Sequence, residues 1–332
     1  MNEKERLLGL LKGKDVDRPP VICPGGMMSA CVTEILDDIE GNHNLDYKVM
    51  AQVSRKIYRG TGFENYGVPF AMIVEAEPLG AKVQIGNKLI EERVIEYNSN
   101  SLEQIMEAYS VIPKNETRMN VVLNAIGELK NNNVPVIGNI TGHISTATSA
   151  VDPLVILKML IKQPERVYSF FKFINNYLIE YAKESINAGA DVIVISDPTA
   201  TGEILGGKNF IRFAVPFYKQ IIDIIHSLNI PVIVHICGNT NTIIQGLNLI
   251  NADGYSFDSV VNMRDVKTQL KGRLMGNVST QLLHTGKKDK IISITKNCID
   301  SGVDIISPAC GLSMATSIDN LKIMTDYVKR GI

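Results

Sequence analysis

Short apolar, β-branched runs punctuate the chain, and the stretches between them carry helical periodicity. The runs fall at residues 20–23 (PVIC), 72–74 (MIV), 134–137 (VPVI), 191–195 (DVIVI), 231–234 (PVIV), 254–257 (GYSF), 273–275 (RLM) and 303–306 (VDII). Nearly all are apolar at consecutive rather than alternate positions, the pattern of parallel strands covered on both faces. Residues 211–228 place Phe213, Pro216, Phe217, Ile221, Ile224 and Ile225 near helical spacing, and residues 154–188 are also of helix length. Strand-helix alternation repeated eight times predicts an α/β fold built as a single (β/α)8 TIM barrel.

Two segments exceed a minimal barrel. Residues 81–97 alternate around Gly86-Asn87 and predict a β-hairpin inserted after strand two. Residues 1–13 predict an N-terminal helix, ended near Gly13 before Asp17-Arg18-Pro19-Pro20 leads into strand one. No Ser/Gly/Pro-rich linker, low-complexity tract or charge block marks a boundary, so residues 1–332 are read as one domain.

Composition then narrows the function. A chain of 332 residues, 45% hydrophobic and 21% charged, has ample material for a core. Lys+Arg 34 against Asp+Glu 35 leaves no basic excess for phosphates, which argues against nucleic acid and anionic membrane as partners. The leading MNEKERLLGLLKGK lacks a signal-peptide apolar region, and no apolar run approaches the ~20 residues of a membrane span, so a cytoplasmic location is expected. Five irregularly spaced cysteines suggest reduced thiols, available as metal ligands, rather than a disulfide framework.

In such a barrel the chemistry sits in the loops that leave the C-terminal strand ends. There the sequence places Pro24-Gly25-Gly26, then Glu75 and Glu77, the Thr-rich stretch from Thr141, Asp197, His235-Ile236-Cys237-Gly238-Asn239, Asp258, Asn277 with Ser279, and Cys310-Gly311. His235, Cys237 and Cys310 stand out as a candidate metal site. One imidazole and two thiolates suit zinc, and His-x-Cys on an extended segment puts both side chains on one face. Strands five and eight of a barrel open onto the same mouth, which turns sequence distance into proximity. Three protein ligands leave a fourth position open, as in a catalytic zinc site, with Asp258 as the candidate resting ligand there. A thiol entering that position loses its proton yet stays nucleophilic, so alkyl transfer to sulfur follows.

At these residues the sequence resembles the uroporphyrinogen decarboxylase superfamily, in particular its methylcobamide:coenzyme M methyltransferase branch. The resemblance runs through seven motifs in order: PPVICPGGMMS (19–29), GVPFAMIVEAEPLGAKV (67–83), GNITGHISTATS (138–149), SDPTATGEILG (196–206), PVIVHICGNT (231–240), GNVS (276–279) and SPACGLS (307–313). It implies a TIM barrel, zinc held by His235, Cys237 and Cys310, and methyl transfer from a methylcobamide carried by a partner corrinoid protein. The implied acceptor is the small thiol coenzyme M. The implied docking is transient, since the carrier must leave to be remethylated. Gly25, Gly26, Met27, Glu75, Thr141, Asp197 and Asn277 are the candidate substrate contacts; Met27 and Met28 are weighed between facing the corrin and helix core packing, and Arg18 between an anion anchor and a structural salt bridge at the barrel rim, the latter preferred.

Three rivals stay open at this point. One keeps the corrinoid chemistry but gives it to tetrahydrofolate or another acceptor. Another is uroporphyrinogen decarboxylation, for which the arginine-rich N-terminal segment of the decarboxylases is replaced here by Pro24-Gly25-Gly26-Met27-Met28. The third is a non-catalytic scaffold in which zinc is structural.

Overall fold

A computed structural model describes residues 1–25, 32–109 and 117–330. Its strands are β1 (Tyr66–Val68), β2 (Lys82–Gln84), β3 (Arg93–Glu96), β4 (Val136–Thr141), β5 (Val192–Ser196), β6 (Val232–Ile236), β7 (Gly254–Phe257), β8 (Arg273–Val278) and β9 (Ile305–Pro308). Seven of them form one curled parallel sheet in the order β1-β4-β5-β6-β7-β8-β9. Every residue of β4, β5, β6, β7 and β9 is buried, which accounts for their consecutive apolar positions. Helices such as Pro164–Ala188, Val215–Ser227 and Lys288–Asp300 return the chain between successive strands.

The expected first strand, 20–23, is reduced to a single parallel bridge between Val21 and Ile306. Ile22 N donates to Ile306 O at 3.0 Å, and on the other side Val21 O accepts from Glu64 N at 2.9 Å. Pro19 and Pro20 have no N–H to give. The Val21 and Cys23 amides are spent on side chains instead, at Glu64 Oε2 (3.0 Å) and Asn65 Oδ1 (2.9 Å).

The expected second strand is corrected: the paired residues are Tyr66–Val68, and 72–74 lie beyond them in a turn where Ala76 N donates to Ile73 O at 3.1 Å. Pro69 removes the next donor and ends the strand. β4 runs further than the apolar pattern indicated, through Gly138, Asn139, Ile140 and Thr141.

The hairpin forms where it was expected, after β1. β2 and β3 pair antiparallel, with Val83 opposite Val94, and the Asn87 side chain accepts from Leu89 N and Ile90 N in the connecting loop. Arg118 pins this loop to the sheet's mouth through Glu77 and Glu92. The N-terminal helix Glu3–Leu11 carries an Asn2/Glu5 capping box and buries Leu7, Leu10 and Leu11. It covers the strand-entry end, where Arg6 and Arg18 both reach Glu64. Arg18 thus serves a buried ion pair at the end of the sheet opposite the mouth. Among the described residues no single helix is long and apolar enough to cross a membrane.

Candidate metal centre

Alternation along β6 turns His235 inward, and two positions later Cys237 leaves the strand on the same side. Cys310 stands two residues past the end of β9. β7 and β8 separate the two strands in the sheet, so its curl is what brings their ends together. His235 Nε2 lies 3.3 Å from Cys237 Sγ, and Cys237 Sγ lies 3.0 Å from Cys310 Sγ. The three ligand atoms all fall within 4.8 Å of one another, and both cysteines are free. One borderline nitrogen and two soft sulfurs converging in this way fit zinc, and three ligands are one fewer than its usual four. The Cys237 thiol donates to Cys310, and that hydrogen bond draws the Cys310 sulfur toward thiolate.

The loop carrying Cys237 is fixed from both sides. Gly238 has φ +67°, a left-handed conformation that favours glycine, and a side chain there would strike Glu203. Gly238 N donates to Asp258 Oδ2 at 3.2 Å, and Asn239 N donates to Glu203 Oε1 at 2.9 Å. Asp258 falls outside the three-ligand group. Its other oxygen accepts from Ser259 Oγ and Val260 N, so the carboxylate braces the loops after β6 and β7.

The remaining candidates sit at strand ends, but their polar atoms serve the scaffold. Glu75 is fully buried, its carboxylate accepting from Thr141 N (2.9 Å) and Thr141 Oγ1 (2.8 Å), and burial pushes its pKa up. Asp197 is equally buried and accepts from Ser145 N (2.8 Å), Ser145 Oγ (2.6 Å), Ile144 N (3.3 Å) and Tyr218 Oη (2.8 Å). It thereby caps the helix His143–Ala150, whose own N-cap, Gly142, offers no side chain. Asn277 Nδ2 donates to Asp258 O and Val261 O, tying β8 to the loop after β7. Gly25 lies where the Val68-Pro69 backbone leaves no room for a Cβ. Gly26, Met27 and Met28 lie outside the described residues.

Beside Cys310 opens a cavity of about 350 Å³ lined by Thr280, Gln281, His284, Leu312 and, from the hairpin, Glu91. His284 and Glu91 escape the sequence reading because the apolar pairs before them, Leu282-Leu283 and Leu89-Ile90, are not among the eight strand-like runs. Ser256 was also missed: its hydroxyl lies 3.0 Å from His235 Nδ1. The one available signal was a serine between two aromatic residues of the strand.

Relatives match along the whole chain. The methylcobamide:CoM methyltransferase MtbA of Methanosarcina acetivorans is 30% identical over 336 residues, spanning 98% of this chain and 97% of that protein. The methylcobamide:CoM methyltransferase MtaA of Methanosarcina barkeri is 26% identical over 333 residues, spanning 97% of this chain and 96% of that protein. A solved methyltransferase from Methanosarcina mazei is similar at a TM-score of 0.90 and 26% identity, covering 100% of this chain and 99% of that one. The uroporphyrinogen decarboxylase (URO-D) family model matches residues 2–331, and the chain belongs to that family.

Proposed function

We propose that this protein transfers a methyl group from a methylated corrinoid, carried on a separate protein, to the thiol of coenzyme M. The observation that carries the reading is the convergence of His235 Nε2, Cys237 Sγ and Cys310 Sγ at the mouth of the sheet. The methylcobamide:CoM methyltransferases similar to it over nearly its full length support the same reaction. The finer fold is read as a (β/α)8 barrel whose first strand has shrunk to the Val21 bridge.

His235, Cys237 and Cys310 are the residues that would hold zinc. Zinc bound there supplies a position at which an entering thiol gives up its proton and remains a nucleophile. The chain's own tasks are to place the acceptor and exclude water. Asp258 and Glu203 keep the Cys237 loop in register, and the cavity at Cys310 has room for a short thiol. The acceptor sulfur forms its bond to the methyl carbon as the carbon-cobalt bond breaks, and cobalt leaves as Co(I) with the electron pair. The thiol proton passes to solvent. The corrinoid carrier docks transiently at the mouth.

The test is zinc content measured together with the absorbance of methylcobalamin on adding coenzyme M. Expected are a zinc-loaded chain and loss of methylcobalamin that depends on coenzyme M. Loss of methylcobalamin with tetrahydrofolate and none with coenzyme M overturns the acceptor. A metal-free chain active on uroporphyrinogen overturns the reaction.

A further inference from the structure

The imidazole of His235 is gripped on the side away from the sulfurs. β6 and β7 pair in parallel with His235 in register with Ser256, so the two side chains stand next to each other on the inner face. Ser256 Oγ lies 3.0 Å from His235 Nδ1, while Nε2 faces Cys237 Sγ at 3.3 Å. Ser256 is 0% exposed, and its in-register neighbour on β8 is the fully buried Met275.

We propose that Ser256 is a positioning residue that accepts a hydrogen bond from His235 Nδ1–H and so turns the ring's Nε2 lone pair toward a metal. This rests on the reading above that the cluster holds zinc. A neutral imidazole carries one N–H, on either nitrogen, and its plane is free to rotate by half a turn. A ligand needs one tautomer and one rotamer. The hydroxyl holds the rotamer, since a half-turn of the ring would carry Nδ1 away from β7, and by accepting from Nδ1–H it favours the tautomer whose Nε2 lone pair faces the sulfurs. Partners of this kind behind a ligating histidine are typically a carboxylate, a carbonyl or water, and losing one costs about ten- to a hundredfold in metal affinity. Here a strand serine takes that place, and its short side chain fits the close approach of paired strands.

The experiment uses the full chain and two readouts, zinc affinity by competition with a chromophoric chelator and the His235 ring ¹⁵N shifts in the zinc-free protein. The wild type is expected to show an Nδ1–H ring. Ser256→Ala, which deletes only the hydroxyl, is expected to weaken zinc roughly ten- to hundredfold and to mix the tautomers, with Ser256→Thr restoring both. Ser256→Gly removes the same oxygen and serves as the second variant should the alanine chain misfold. Unchanged zinc affinity and an unchanged ring in the hydroxyl-free variants overturn the proposal. A wild type that takes up no zinc overturns the metal reading instead, and the tautomer alone then decides the role of Ser256.

Discussion

Cys237 and Cys310 lie 73 positions apart in the chain and hold their sulfurs 3.0 Å apart at the mouth of the sheet. Neither loop makes this contact alone: it depends on two intervening strands, β7 and β8, carrying the sheet round between them. The folding information therefore lies in the strands, and the thiols are passengers on it.

Replacing either cysteine is expected to spare the fold and remove the metal. Both side chains are only partly buried, and the neighbouring strands are held by their own ladders. Cys237→Ala and Cys310→Ala should keep their thermal transitions within a few degrees of the wild type while zinc content and methyl transfer fall by more than about a hundredfold, beyond the loss of an outer partner. Unfolding of both variants would point to a structural zinc.

The same sulfur pair predicts an oxidation product. Free thiols this close need only a small shift to reach disulfide geometry. Diamide added to metal-free protein should join Cys237 to Cys310, the two thiols losing their protons and an electron pair to the reagent, which becomes the hydrazine. Zinc-loaded protein should resist. Peptide mapping with iodoacetamide checks this, and equal protection of both forms would contradict it.

The sequence made the strand ends legible where an apolar run led into a chemically distinct residue, directly at His235 and within four positions at Cys310. It misled where polar residues finish a strand or prolines begin one: β4 continues through Asn139 and Thr141, and Val21 keeps only a bridge between its prolines and β9. Glu75, Thr141 and Asp197 drew notice because strand ends face the mouth, yet each turns to a neighbouring loop or helix. Residue type cannot tell a carboxylate that meets substrate from one that caps a helix. Ser256 and His284 matter through register and cavity shape, which exist only in the folded chain.

Asp197 is expected to act on stability rather than on substrate affinity. Asp197→Ala strands the Ser145 and Ile144 amides at a buried helix start and leaves Tyr218 without its acceptor. The cost should be about 3 kcal/mol or more, read from urea unfolding. A raised KM at unchanged stability would instead place Asp197 in contact with substrate.

Arg118 should govern the hairpin. Its guanidinium sits between Glu77, at 2.6 Å from Nε, and Glu92, whose side chain is 4% exposed. Arg118→Met leaves the buried Glu92 carboxylate beside the half-buried Glu77 with no cation between them, and burial already pushes Glu92 upward. Tryptic cleavage at Lys88 and Arg93 is expected to accelerate at least tenfold, equivalent to about 1.4 kcal/mol of local opening. Adding Glu92→Gln should reverse part of it, whereas cleavage at the wild-type rate would show the hairpin is held elsewhere.

A buried histidine sets a pH dependence of folding. His43 is 4% exposed, packs edge-on against Phe70 with centroids 5.6 Å apart, and is lowered by burial from 6.5 to about 4. The folded chain keeps this ring neutral, while the unfolded chain protonates it near 6.5. Between those values the unfolded state binds more protons, so stability rises with pH through the window and is fully present above it. Burial of Glu75 and Glu92 acts in the opposite sense and that of His143 in the same one, so the comparison must be between variants. On passing from pH 7 to pH 4.5, the wild type should lose roughly 2 to 3 kcal/mol more than His43→Gln, measured by urea unfolding at each pH. Parallel pH profiles for the two proteins would show that His43 is protonated in the fold as readily as out of it.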